Sequence, residues 1–219
     1  MNSPQHQPSV KFLRLAHLRK LRRCEQVAAV CFRARGSDIE FLLVNTGKGR
    51  WIFPKGGAEP GLTHAQAAAL EAFEEAGVHG RMEEASFTSY VQRKRGRMRR
   101  VTELSVSAHL CEVLRQVTPP ELNRNPTWFV ASKAKKRLRD DRVADHGADL
   151  ARVIDRAVAR IQRLRRDHDA APSVRHETAA SASPSSDPTR QGKSSRQTAR
   201  LINIDIARGM PKRRAASTC

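Results

Sequence analysis

The sequence predicts an α/β domain flanked by basic, non-globular ends, and three observations carry that expectation. Apolar runs rich in strand formers, 26–34 and 39–45, stand on either side of a Gly-Ser-Asp turn. A helix with its own start and stop signals follows Thr63. From Asp167 onward large apolar side chains become scarce, and such a segment does not bury enough surface to offset chain entropy. The expected division is a basic arm at 1–25, a domain at 26–166 and a disordered Ser/Ala/Pro-rich basic tail at 167–219.

The arm opens polar and continues as VKFLRLAHLRKLRRCE, in which Val10, Leu13, Leu18 and Leu21 alternate loosely with basic residues. That pattern fits a short amphipathic segment packed on the domain, a disordered leader, or a contact with nucleic acid or membrane. Residues 26–34 and 39–45 read as paired strands joined at Gly36, Ser37 and Asp38. Trp51 to Phe53 is a short strand closed by Pro54, which has no N–H to give a ladder. Lys55-Gly56-Gly57 is expected to bend sharply, because glycine tolerates positive φ.

Thr63 is a good N-cap, and Gln66 three residues later completes a capping box. Ala65, Ala67, Ala68, Ala69, Leu70 and Ala72 are strong helix formers. Gly77 falls where a left-handed residue ends a helix. Residues 85–94 and 101–114 read as a hairpin with its tip near Gly96. Thr118-Pro119-Pro120 stops the second strand, and Thr127 to Val130 forms a short one with Trp128 and Phe129 expected in the core. A basic helix, SKAKKRLRD, follows. The last helix, about 144–166, turns Val153, Ile154, Ala157, Val158, Ile161 and Leu164 toward the sheet and Arg152, Arg156, Arg160 and Arg163 away from it. The apolar island LINIDIARGM at 201–210 has no assigned role.

Chemistry concentrates on the helix after Thr63. Glu71, Glu74 and Glu75 are spaced i, i+3, i+4 and so share a face. Three carboxylates there repel one another, and a positive group should compensate. A hard divalent cation suits them: Mg²⁺ takes oxygen ligands and keeps waters for substrate phosphates. The plain alternative is a solvated acidic face.

These residues resemble a Nudix box. Gly56 matches the first glycine of that pattern, and Glu71, Glu74, Glu75, Gly77 and Val78 match its final run. The preceding WIFPKGGAEPG resembles the family's way into the loop. Leu62 stands where the box has its first glutamate, Leu70 where it has an arginine that helps orient the carboxylates, and Ala72 where a larger apolar residue is usual. Replacing an acid and a base together by leucine leaves no orphan charge if the two were partners. The resemblance implies an α/β/α sandwich around a mixed sheet and hydrolysis of a diphosphate linkage. It implies Glu71 and Glu75 as metal ligands, Glu74 as catalytic base or additional ligand, and Mg²⁺ as cofactor with Mn²⁺ as the alternative. Within the family, the likeness runs toward diphosphoinositol polyphosphate and diadenosine polyphosphate phosphohydrolases. The other reading is a catalytically weakened Nudix domain that binds RNA or a nucleotide.

Substrate-binding candidates are Lys55, Gly56 and Gly57 of the loop and Arg97 and Arg99 of the hairpin tip, where basic side chains cluster from Arg93 to Arg100. Glu103 is a candidate remote carboxylate of the kind some Nudix enzymes use, or simply a surface strand residue. The net charge of +19, from 41 Lys and Arg against 22 Asp and Glu, favours polyanionic partners: a small polyphosphorylated substrate, or nucleic acid through the basic segments. Cys24, Cys31, Cys111 and Cys219 have no metal-ligand spacing, which suits a reducing compartment. No apolar run reaches the length of a membrane span and no signal-peptide core is seen, so the expected location is cytoplasmic.

Overall fold

The computed structural model describes residues 25–95, 101–169 and 200–204. The central strand is β1 (Gln26–Arg35), whose stretch Val27 to Phe32 is buried throughout. A near-continuous apolar run is what a strand covered on both faces requires. Val27, Ala29 and Cys31 join one core cluster, while Ala28, Val30 and Phe32 join the other. This is the period of two made physical.

β1 pairs antiparallel with β2 (Asp38–Asn45) and, at its start, with β4 (Lys55–Gly57). It pairs parallel with β7 (Val101–Gln116). β3 (Trp51–Ile52) and β8 (Thr127–Val130) lie against β2. β5 (Val78–Glu83) and β6 (Thr88–Arg95) lie against β7. The main path therefore runs β3-β2-β1-β7-β5 and ends on β9 (Leu201–Ile204). One parallel pair among antiparallel ones makes the sheet mixed.

Helix α1 (His64–Ala76) covers one face. Its capping box is present in both directions, and Gly77 closes it at φ 65°. Its buried alanines, Ala65, Ala67, Ala68, Ala69, Ala72 and Ala76, have little side chain to hold the helix off the strands. Helices α2 (Ala131–Arg139) and α3 (Ala144–Asp169) cover the other face through Ala134, Leu138, Leu150, Val153, Ile154, Ala157 and Ile161. The result is the α/β/α sandwich that the resemblance implies.

Several expectations need correction. Lys55-Gly56-Gly57 is not a bend but the strand β4, and neither glycine has a positive φ; the left-handed glycine of this loop is Gly61, at φ 91°. β5 does not stand out in the sequence, because His79, Gly80 and Arg81 break its apolar pattern and the ladder is irregular between His79 and Gly80. Trp128 and Phe129, expected in the core, are half-buried at the sheet edge and pack against one core cluster each. Arg33 lies 4.1 Å from the Trp128 ring centroid, and Phe129 meets Trp51 edge to face. Of the α3 arginines expected away from the sheet, Arg152, Arg156 and Arg163 are exposed, but Arg160 is half-buried and pairs with buried Glu83, and Arg156 donates to Thr88 Oγ1. The tail segment drawn from 167 contributes its first three residues to α3 and Leu201–Ile204 to the sheet. Most of the arm, the hairpin tip with Arg97 and Arg99, and most of the tail lie outside the described residues.

Candidate active site

The site is built where α1 meets β4. Glu71 and Glu75 are each only 3% exposed, so two carboxylates of one helix face are sunk against the strand, whereas Glu74 is half-buried. Gly56 makes the close approach possible. A Cβ placed on it would sit 1.7 Å from Glu71 Oε1. The glycine is needed for clearance, not for an unusual backbone angle.

Glu75 is held at both oxygens. The Lys55 N–H donates to Oε2 at 3.2 Å, and Arg124 Nη2 lies 2.8 Å from Oε1. Burial pushes the Glu75 carboxyl up to about 7; Arg124 opposes that rise and the neighbouring Glu71 charge adds to it. Arg124 comes from a 3-10 turn (Leu122–Arg124), and its Nε donates to Glu121 Oε2 at 2.6 Å. Burial works against the Arg124 charge, but Glu121, Glu75 and Glu71 outweigh it and hold the guanidinium above its ordinary range. The compensating charge expected for the acidic face is thus supplied by this arginine. Nothing in the sequence pattern marks Arg124.

Among the described residues, no three His, Cys, Asp or Glu side chains converge as a ready ion site. The pair Glu71 and Glu75, with hard oxygen donors in a buried cradle that Gly56 keeps open, fits the chemistry of Mg²⁺. Lys55 donates from its ammonium to Gln26 Oε1 at 3.1 Å and from its backbone N–H to Glu75 Oε2. Gly57, in β4, pairs with Gln26 of β1. Glu103 is a surface strand residue: it faces Arg93 across the hairpin, 2.9 Å away, with both side chains more than half exposed.

A second feature adjoins this one through Tyr90. Tyr90 is buried, and its hydroxyl is raised well above the ordinary range by burial, with Arg142 and Glu75 acting on it in opposite senses. Beyond it lies a cavity of about 580 Å³ lined by Thr46, Lys48, Arg50, Gln92, Arg93, Arg142 and His146, among others. The Tyr90 hydroxyl and Gln92 Oε1 are buried without a protein hydrogen-bond partner among the described residues. The loop carrying Lys48 and Arg50 is pinned by Thr46, which takes N–H bonds from Lys48 and Arg50 on Oγ1 and from Gly49 on its carbonyl. Arg142 braces the far wall, donating to Leu138 O and Trp51 O. In the sequence this loop is merely polar, and Arg142 lies too far along the chain for local spacing to connect it.

An open mixed sheet between helices, with a capped, carboxylate-bearing helix seated on a glycine-containing strand, places the chain among α/β/α sandwich domains. The model of the NUDIX domain matches residues 23–146, more than half of the chain, and the chain belongs to the Nudix family. A diphosphoinositol polyphosphate phosphohydrolase 3-beta of Bos taurus is 45% identical over 60 residues, 26% of this chain and 36% of that protein. A diphosphoinositol polyphosphate phosphohydrolase 2 of Rattus norvegicus is 43% identical over 60 residues, 26% of this chain and 33% of that protein. The chain thus spans about a third of the length of the curated relatives it matches. A solved Ap4A hydrolase of C. elegans, in a binary complex, superposes with a TM-score of 0.48 at 21% identity, covering 63% of this chain and 97% of that one. Among the described residues no helix is long and apolar enough to cross a membrane.

Proposed function

We propose that this protein is a Mg²⁺-dependent pyrophosphohydrolase that cleaves a diphosphate linkage in a small, highly phosphorylated substrate of the dinucleoside polyphosphate or diphosphoinositol polyphosphate type. The observation that carries this reading is the seating of Glu71 and Glu75 against Gly56, two buried carboxylates at a spot that a side chain on residue 56 would fill. Burying two like charges is costly, and Arg124, a single cation held against Glu75, offsets only part of that cost, which leaves a divalent ion to offset the rest.

Glu71 and Glu75 would hold Mg²⁺, or Mn²⁺ in its place. When bound, the ion supplies charge neutralisation at the phosphates and lowers the pKa of water. Glu74, the more exposed of the three, takes the proton from the attacking water. Lys48, Arg50, Arg93 and Arg142 give the neighbouring cavity a cationic lining suited to the remaining phosphates, which supports a substrate richer in charge than a simple nucleoside diphosphate, while burial and the nearby Arg142 hold His146 below the ordinary histidine range. The curated relatives, named diphosphoinositol polyphosphate phosphohydrolases, agree with that substrate class.

Leu62 packs beside the α1 core and Leu70 is buried, so neither family position offers a polar group here. That observation favours the second reading, a nucleotide- or RNA-binding domain with weak or no turnover. One experiment separates the two. The full chain is incubated with diadenosine and diphosphoinositol polyphosphates in Mg²⁺, beside Glu74→Gln. Turnover lost by ~10²-fold or more in the variant supports the enzyme. A wild-type protein inert across the panel, with salt-sensitive RNA binding, overturns it.

A further inference from the structure

We infer that Arg124 is a positioning residue of this site, holding the Glu75 carboxylate in place from the loop side through a guanidinium anchored on Glu121. The inference deepens the hydrolase reading above and rests on it.

Among the described residues Glu75 has one protein donor per oxygen. Lys55 N–H takes Oε2 at 3.2 Å, and Arg124 Nη2 takes Oε1 at 2.8 Å. The two donors come from elements on different sides of the carboxylate, β4 and the 3-10 turn. A carboxylate gripped in this way cannot rotate without breaking one of the two bonds. Arg124 is itself gripped: its Nε donates to Glu121 Oε2 at 2.6 Å, so two nitrogens of one planar group are engaged with two different carboxylates at once. A lysine offers a point charge and cannot reproduce this arrangement.

The turn carrying Arg124 is registered against α1 by its backbone. The Glu121 N–H donates to Glu74 O at 3.0 Å, and the Val117 N–H donates to Gly77 O at 2.8 Å. The backbone of the helix that bears the carboxylates thus also fixes the segment that bears their counter-charge. The helix cannot supply that charge itself. Residues 64–76 contain no lysine or arginine, and Leu70 precedes Glu71.

Burial raises the weight of the pairing. The Glu75 side chain is 4% exposed and that of Arg124 30%, so this pair is partly desolvated. Exposed pairs contribute little, whereas removing one member of a desolvated pair leaves a charge without a partner. The Arg124–Glu121 pair is more exposed and serves as the anchor.

The test uses the full chain and three variants, Arg124→Ala, Arg124→Lys and Glu121→Gln. The first readout needs neither metal nor substrate: the resonance and hydrogen exchange of the Lys55 amide, which reports whether Glu75 is still seated. The second is kcat against KM with diadenosine tetraphosphate. The expected result for Arg124→Ala is a displaced Lys55 amide resonance exchanging about 10-fold faster, with kcat down about 10-fold to 100-fold and KM within about 3-fold. Arg124→Lys recovers part of both effects. Glu121→Gln, at an exposed position, shows a smaller change of the same kind and keeps the test open if Arg124→Ala does not fold. An unmoved Lys55 amide in both Arg124→Ala and Glu121→Gln overturns the inference. So does a rise in KM with kcat unchanged, which would make Arg124 a substrate-binding group. If the wild-type chain turns nothing over while the Lys55 amide responds as expected, the hydrolase reading fails and the positioning of Glu75 by Arg124 stands.

Discussion

Gly56 and Glu71 sit so close that one carbon atom added to the glycine would come within 1.7 Å of Glu71 Oε1. What that carbon meets is the end of a side chain, so the cheapest relief is for the carboxylate to move and the backbone to stay. Gly56→Ala should therefore cost function more than stability. The expected outcome is a fall in kcat/KM of about 100-fold, the scale of a displacement near 1 Å at a reacting centre, with Tm lowered by only a few degrees. Gly80 is the contrasting case. A Cβ there would lie 2.1 Å from Glu112 O, which is backbone of the paired strand β7. Gly80→Ala should lower stability by about 1–3 kcal/mol, because the ladder itself must open. Thermal melts and turnover measured on both variants separate the two kinds of glycine.

The Glu75 carboxyl gives the protein a pH dependence of known sign. Burial, against the pull of Arg124, raises it from the ordinary 4.5 to about 7 in the folded protein. The folded state thus holds this proton more tightly than the unfolded chain does. The resulting stability is fully present below about pH 4.5 and is lost as pH rises toward 7. A shift of that size corresponds to about 3 kcal/mol. Compared with Glu75→Gln, which has no proton to lose, the wild-type chain should become progressively less stable between pH 5 and pH 8 in denaturant melts without metal. Millimolar Mg²⁺ should flatten that difference, since an ion at Glu75 favours the charged form. A difference that does not change with pH would contradict the burial argument.

Helix α1 and its glutamates were legible because their signals are local. Thr63, Gln66 and Gly77 lie within the helix or beside it, and the spacing of Glu71, Glu74 and Glu75 sets a common face without reference to any other element. The strands of β1 and β2 were legible for the same reason. What escaped depends on distant partners. Lys55-Gly56-Gly57 is a strand only because Gln26, Val27 and Ala28 pair with it. Leu201–Ile204 becomes a strand only beside β5, which its sequence cannot reveal. Arg124 and Glu75 meet across the fold, as do Arg50, Arg142 and His146 around the cavity. The site residues carrying a spacing pattern could be read from sequence, and those brought by topology could not.

The cationic cavity should govern affinity more than rate. Lys48 and Arg50 stand on a loop already fixed by Thr46, so little ordering is needed before they meet a phosphate. Lys48→Ala and Arg50→Ala should each raise KM about 10-fold for a highly phosphorylated substrate, with kcat within about 3-fold. That split is the mark of a charge-assisted hydrogen bond that holds substrate and transition state equally well. Raising the salt concentration should weaken substrate binding more in the wild type than in the double variant, because fewer charges then remain to be screened. Arg142 is not a clean test of the same idea, since it also braces Leu138 and Trp51.

Glu83 and Arg160 provide the sharpest test of the fold away from the site. Glu83 on β5 is 3% exposed, and Arg160 of α3 reaches it through Nε at 3.1 Å and through Nη2 at 3.1 Å. His109 is tied to the same strand, its Nδ1 lying 3.1 Å from Glu83 O. Arg160→Leu removes the only cation shown against this buried carboxylate among the described residues and leaves a charge that neither water nor a partner can satisfy. The expected loss is about 3–5 kcal/mol. Pairing it with Glu83→Met removes the stranded charge, and replacing both members of a buried ion pair by apolar residues of similar volume is often close to neutral. The double variant should therefore be more stable than Arg160→Leu alone, in urea melts at neutral pH. If the double variant is the less stable of the two, the pair is doing more than neutralising a buried charge, and its hydrogen bonds are what fasten α3 to the β5 edge.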